Sequence, residues 1–167
     1  FQRFGFDFQP LGPPIDLTDG STESVYPSIV FNKDRYIVSW FDRSASPKAI
    51  YAAAIDLDGN VIVPKKAVTS PGNAHSRYPT MRALGDRVLL VYSDDRDNNQ
   101  GYELYSRVFD NQLNPISAEL RVTNAKADSI YPRATFGPKG DVGVLFRDDR
   151  LGEQHVWFTR RGCVTAT

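Results

Sequence analysis

The sequence predicts an all-β, β-propeller-like fold of about three four-stranded blades, with incomplete first and last blades, forming part of a larger propeller. Three observations lead there. A pattern of Ser-x-Tyr-Pro, an apolar run and an Asp-Arg pair occurs three times: Ser24-Val25-Tyr26-Pro27 with Asp42-Arg43, Ser76-Arg77-Tyr78-Pro79 with Asp95-Arg96, and Ser129-Ile130-Tyr131-Pro132 with Asp149-Arg150. Its tyrosines lie 52 and 53 residues apart, so one supersecondary unit fills most of the chain. Within each unit, β-branched and aromatic runs alternate with Gly, Pro, Asn and Asp clusters, and no long segment carries helical periodicity. Four short strands recurring every ~50 residues suit a propeller blade better than a sandwich, whose successive strands do not repeat.

Residues 1–20 read as a half blade, with Phe1 to Asp7 as its third strand and Pro14 to Thr18 as its fourth, because Asp7 precedes Leu17-Thr18 much as Asp56 precedes Val68-Thr69. Residues 21–72 read as a blade with strands Ser28 to Phe31, Arg35 to Phe41, Ala49 to Ile55 and Val61 to Val68. Turns at 32–34 and 56–60 join its outer pairs as hairpins. Residues 73–124 repeat this with Thr80 to Leu84, Arg87 to Ser93, Tyr102 to Phe109 and Ile116 to Val122. Residues 125–167 supply Arg133 to Phe136, Gly143 to Phe146 and His155 to Arg160, a blade lacking its last strand. Closed propellers need roughly four to eight blades, so open sheet edges and an uncovered blade face are expected to recruit a second chain of the same propeller or further copies of this one.

At 167 residues the chain is sized for one domain. Twenty basic and twenty acidic side chains are interspersed, which leaves no electrostatic footprint for nucleic acid or an anionic membrane. No apolar run approaches the roughly 20 residues of a membrane-spanning helix, and the first residues do not form a signal peptide. The single cysteine, Cys163, rules out an internal disulfide framework and is read as an inert thiol, with a link to another chain as the alternative.

Because strands alternate in direction, the loop before the first strand and the loop after the second open on the same end of a blade. Tyr26, Asp42, Arg43, Tyr78, Asp95, Arg96, Tyr131, Asp149 and Arg150 are therefore expected as a repeated ring around the central axis. One reading is structural, with Asp and Arg exchanging charge-assisted hydrogen bonds that fix blade geometry. The other is a shallow glycan site in each blade, the tyrosine offering a flat face and Asp and Arg binding sugar hydroxyls or a carboxylate. A site built once per blade would give avidity for a repeating polymer. No cofactor is expected. Calcium is a lesser alternative at the acidic loop Asp94 to Asn99, and the two histidines make no metal-ligand spacing.

The four-stranded repeat, with its Asp56-Leu57-Asp58-Gly59-Asn60 turn, resembles the repeat propellers of secreted bacterial proteins, including the sialidase-like and BNR-type group. Asp58-Gly59 holds the turn comparable to that group's Asp-box, without the flanking Ser, Thr and Trp. The resemblance implies an extracellular or cell-surface location, and arginine, tyrosine and aspartate residues of the types sialidases use. Catalytic centres are asymmetric, however, whereas here each repeat offers the same set. The sequence therefore favours a non-catalytic, secreted binding and assembly module, with lectin-like carbohydrate binding as one alternative and a sialidase-like or other glycoside hydrolase subunit as another.

Overall fold

The computed structural model describes residues 1–69, 72–97 and 101–162. Cys163 and the expected C-terminal break at 163–167 lie outside the described residues, as do Asn98 and Asn99 of the calcium candidate loop.

All regular structure among the described residues is β. The first blade comprises β1 (Ser24–Asn32), β2 (Arg35–Asp42), β3 (Ile50–Asp56) and β4 (Val61–Ala67), hydrogen-bonded in chain order. The second comprises β5 (Ser76–Leu84), β6 (Arg87–Asp94), β7 (Glu103–Phe109) and β8 (Leu120–Arg121), again in order. A three-stranded sheet follows, formed by β9 (Ile130–Phe136), β10 (Val142–Asp148) and β11 (His155–Arg161). All neighbouring strands are antiparallel. The first strands touch one another from blade to blade, β1 against β5 and β5 against β9, which puts them innermost. The all-β partial propeller expected from the repeat is the observed architecture.

Two details differ from the sequence reading. β1 and β5 begin at the motif's serine and β9 one residue after it, at Ile130, so the Tyr-Pro of each motif lies inside the strand rather than in the loop before it. The register slips across the motif, between Val25 and Ser28 in β1 and between Arg77 and Thr80 in β5, because proline cannot donate to the ladder and a bulge absorbs the gap. The fourth strand of the second blade, expected over Ile116 to Val122, shrinks to Leu120–Arg121, and Pro115 just ahead of the expected run holds only an isolated bridge to Phe109.

One five-residue turn is used four times, one of them at Gly137 to Asp141 between β9 and β10, where Gly137 N–H donates to Asp141 at 2.7 Å and Gly140 is left-handed (φ 74°); the other three are alike. Asp56 N–H donates to Asn60 at 2.9 Å, Asp110 N–H to Asn114 at 2.9 Å, and Gly5 N–H to Gln9 at 2.9 Å. Its fourth residue is left-handed in each: Gly59 (φ 93°), Leu113 (φ 61°) and Phe8 (φ 59°). Leu113 tolerates this because its side chain is fully buried between the first two blades, while Phe8 is exposed. Gly5, not Asp7, thus holds the place of Asp56 in the hairpin of residues 1–15.

The blades pack face to face through apolar layers. Ile37, Phe41, Ala52 and Ala54 of the first meet Met81, Val88, Leu90 and Tyr92 of the second. Leu89, Val91 and Leu104 of the second meet Ala134, Val144 and Phe146 of the third. Phe1 and Leu17 cover Val38 and Trp40 on the other side of the first blade. Among the described residues the far face of the third blade has no such cover. Val156 is 79% exposed and Leu145 47%, while Leu104 and Val91, their counterparts on β7 and β6, are 0% and 1% exposed.

Candidate functional site

The three repeated tyrosines converge. Ring centroids of Tyr26 and Tyr78 are 4.8 Å apart, those of Tyr78 and Tyr131 4.3 Å, and those of Tyr26 and Tyr131 6.1 Å. Each tyrosine is left-handed, with φ of 55°, 55° and 56°, although it has a bulky side chain and precedes a proline. Such backbone costs about 1–3 kcal/mol per residue and persists only where its surroundings hold it. Here the bulge turns the ring out of the sheet plane toward the axis. Phe41 supports the cluster, stacked on Tyr26 at 5.6 Å and edge-on to Tyr78 at 5.6 Å.

Around the tyrosines lies a hollow of about 200 Å³ lined also by Ser28, Thr80, Arg82 and Arg133 and by two prolines of the motif, Pro27 and Pro79. Ser28, Thr80 and Arg133 stand two residues beyond their tyrosines in the three innermost strands. The Tyr131 phenol is pushed up to about 12, first by hydrogen bonding with Tyr78 and then by burial, so it stays neutral at physiological pH. Chemically the hollow offers flat aromatic edges, phenol and hydroxyl groups and two guanidinium groups. None of its lining residues is a carboxylate.

The arginines of the repeated pattern do not join the tyrosines. In the second blade Arg96 turns outward and grips Asp94 at 2.7 and 2.9 Å. Its guanidinium lies 4.2 Å over the Tyr105 ring and also pairs with Glu119. In the third, Arg150 grips Asp148 at 2.7 and 2.5 Å and lies 4.4 Å over Trp157. In the first, Lys65 from β4 does this work, reaching Asp42 at 3.2 Å and lying 4.6 Å over Tyr51. Arg43 instead pairs with Glu23 in the open. Each buried aspartate also accepts a hydroxyl from the motif's serine, Ser24 to Asp42, Ser76 to Asp94 and Ser129 to Asp148, all at 2.7 Å.

The structurally repeated aspartates are therefore Asp42, Asp94 and Asp148. Asp95 and Asp149 hold the next position, where each caps the loop N–H just before the motif: His75 N–H to Asp95 at 2.6 Å and Asp128 N–H to Asp149 at 2.9 Å. In the first blade Ser44 does so for Glu23 at 3.0 Å. Sequence reasoning missed Asp94, Asp148, Lys65 and the third-strand rings. The signal available was the Ser-to-Asp spacing of 18, 18 and 19 residues, which picks out the buried aspartates where the Asp-Arg dipeptide does not. Arg82 and Arg133 were missed as well, because nothing in the pattern marks them.

Burial alone would raise the carboxyls of Asp42 and Asp148, but their hydrogen bonds outweigh it and hold both below the ordinary range. Arg96 is raised in turn, chiefly by its bond to Asp94. These ion pairs clamp the second strand and the following loop to the motif that aims each tyrosine. Among the described residues no cluster of His, Cys, Asp and Glu has the makings of a metal site.

No protein-family model matches the sequence, and no curated protein matches it. Solved structures do. The chain is similar to an endo-arabinase from Bacteroides thetaiotaomicron, at 15% identity over 95% of this chain and 62% of that one, with a TM-score of 0.67. It is similar to an α-L-arabinanase from Penicillium chrysogenum solved with arabinobiose, at 16% identity over 93% of this chain and 51% of the other, TM-score 0.69. It is also similar to a GH93 α-L-arabinofuranosidase from Fusarium graminearum with arabinobiose, at 14% identity, 93% and 51% coverage and TM-score 0.68. The chain thus spans between half and two thirds of the length of these structures. At such identity the likeness establishes the fold, a partial β-propeller of the kind glycoside hydrolases use.

Two expectations are corrected by these matches. The assignment to the sialidase-like and BNR-type group gives way, since the similar structures are named as an endo-arabinase, an arabinanase and an arabinofuranosidase. The preference for a non-catalytic binding and assembly module gives way with it, since these matches favour the glycoside hydrolase alternative. Regularity misled here, because the repeated Asp and Arg residues brace each blade internally and say nothing about the asymmetry of a site on the axis.

Proposed function

We propose that this chain is part of a β-propeller glycoside hydrolase, with the tyrosine-lined axial hollow as its sugar-binding wall. The observation that carries this reading is the convergence of Tyr26, Tyr78 and Tyr131, each held in a costly backbone conformation, on one hollow in a fold shared with arabinan-degrading enzymes. Strain of this kind collects at functional sites. Aromatic faces suit the apolar side of a sugar ring, while phenol, Ser28 and Thr80 hydroxyls suit its polar rim.

Glycoside hydrolysis ordinarily needs two carboxyl groups, one giving a proton to the leaving oxygen and the other acting as base or nucleophile. The lining of the hollow supplies none, so in this reading the blades that complete the ring supply the pair and this chain binds and orients the substrate. Polymers of arabinose are the first substrates to test, given the names of the similar structures. An extracellular or cell-surface location accords with such a substrate.

The test is reducing-sugar release from arabinan by the native particle, with pectin, xylan and a fluorogenic sialoside in parallel. Release from arabinan that is lost in Tyr78→Ala supports the reading. No release from any polysaccharide, together with no binding of arabinobiose by the chain, overturns it.

A further inference from the structure

Arg82 and Arg133 enter the same hollow from neighbouring innermost strands, β5 and β9. Each donates one hydrogen bond, to the carbonyl of the residue just before it: Arg82 to Met81 at 2.6 Å and Arg133 to Pro132 at 2.9 Å. Neither has a carboxylate partner among the described residues. Arg96, Arg121, Arg150 and Arg160 pair with acids, and Arg107 and Arg161 donate to carbonyls outside the hollow, so Arg82 and Arg133 are the two whose guanidinium groups line it. A chain with equal numbers of acids and bases has partners to spare, yet two guanidinium groups stand unpaired beside three phenols in a hollow whose lining contains no acid.

Guanidinium is the side chain best matched to a carboxylate, because its planar fork of donors meets two oxygens at once. Inside a concave site that attraction is less screened than on an open surface. A neutral saccharide would leave both charges unmatched. We propose that the hollow takes a carboxylate-bearing sugar, a uronate unit of an acidic polysaccharide, with Arg82 and Arg133 on the carboxylate and the tyrosines against the ring. The proposal rests on the reading that the hollow binds sugar, and it names the class of sugar.

The experiment is calorimetric titration of the chain with digalacturonate, its dimethyl ester and arabinobiose at low and at high salt. Digalacturonate is expected to bind about tenfold or more tightly than the ester, with an affinity that falls as salt rises. Arg133→Gln, at an exposed position, is expected to keep the wild-type melting temperature and lose about tenfold in digalacturonate affinity, with arabinobiose unaffected; Arg82→Gln gives a second, independent reading. Equal binding of acid and ester, or unchanged affinity in both variants, overturns the proposal while leaving a neutral-sugar site standing. Tighter binding of a sulfated disaccharide than of digalacturonate overturns the assignment to a carboxylate. If none of the sugars binds, both this proposal and the sugar-site reading fall.

Discussion

Ser76 donates its hydroxyl to Asp94 at 2.7 Å with both residues sealed from solvent, and Arg96 closes on the same carboxylate from the loop that follows. The serine begins the strand that carries Tyr78, and the aspartate ends the strand beside it. One buried ion thus ties the bulge that aims the tyrosine to the loop at the same end of the blade. The arrangement recurs around Asp42 and Asp148, which makes it the blade's own clamp.

Asp94→Asn removes the charge while keeping the shape, and it leaves Arg96 with Glu119 as its one acid partner. Breaking one side of a buried pair is costly, so a loss of about 3 kcal/mol is expected. Urea denaturation checks this, with a lowered midpoint at unchanged slope. Arg43→Ala, which removes a pair exposed on both sides, should leave the midpoint where it was.

Acid should loosen the clamps. Asp42 and Asp148 have folded-state values below those of the unfolded chain, so the unfolded state takes up protons first as pH falls. Their contribution is complete above the unfolded carboxylate value of about 4 and drains away as pH drops through the lower folded values. Melting temperatures measured from pH 6 to pH 2 should show a decline below about pH 4 that is shallower in an Asp148→Asn variant, which has less to lose.

The tyrosine backbone gives a prediction of opposite sign for stability and binding. Tyr26 is half exposed, and glycine at its place would adopt φ 55° freely, recovering about 1 kcal/mol of strain against the loss of its stack on Phe41. Tyr26→Gly is expected to melt within a few degrees of wild type and to bind saccharide more weakly by about tenfold. A variant that unfolds would show the ring to be a structural prop first.

The bare face of the third blade is expected to associate. Val156 and Phe158 stand open where the second blade carries a buried contact surface, so further blades of the same kind are the proposed cover, whether from another chain or another copy. Light scattering at micromolar concentration should show a species larger than 18.7 kDa, and Phe158→Lys with Val156→Lys should reduce it to the monomer. A monodisperse wild-type monomer contradicts the expectation.

Much of the architecture was legible because the repeat is written in the residues that shape backbone: proline after each tyrosine, Asp and Gly in turns, alternating apolar runs between them. Strand starts were less so. Tyr26-Pro27 looks like a loop signal, and only a bulge that lets the ladder resume at Ser28 keeps it within the strand. The axial tyrosines could be named from spacing alone, but not the partners of Asp42. Lys65 reaches that aspartate from 23 residues away, in a strand whose local pattern carries no trace of the job. Arg82 and Arg133 escaped notice because they stand at different places in the repeat, four residues after Tyr78 and two after Tyr131, so no repeated position marks them.

The central claim is that the axial tyrosines form the sugar wall of a glycoside hydrolase, and arabinan digestion by the native particle, compared between wild type and Tyr78→Ala, tests it most directly. The account predicts arabino-oligosaccharide release by the wild type and its loss, at a melting temperature within a few degrees, in the variant. Equal release by both, or release by neither alongside an absence of saccharide binding, would contradict it.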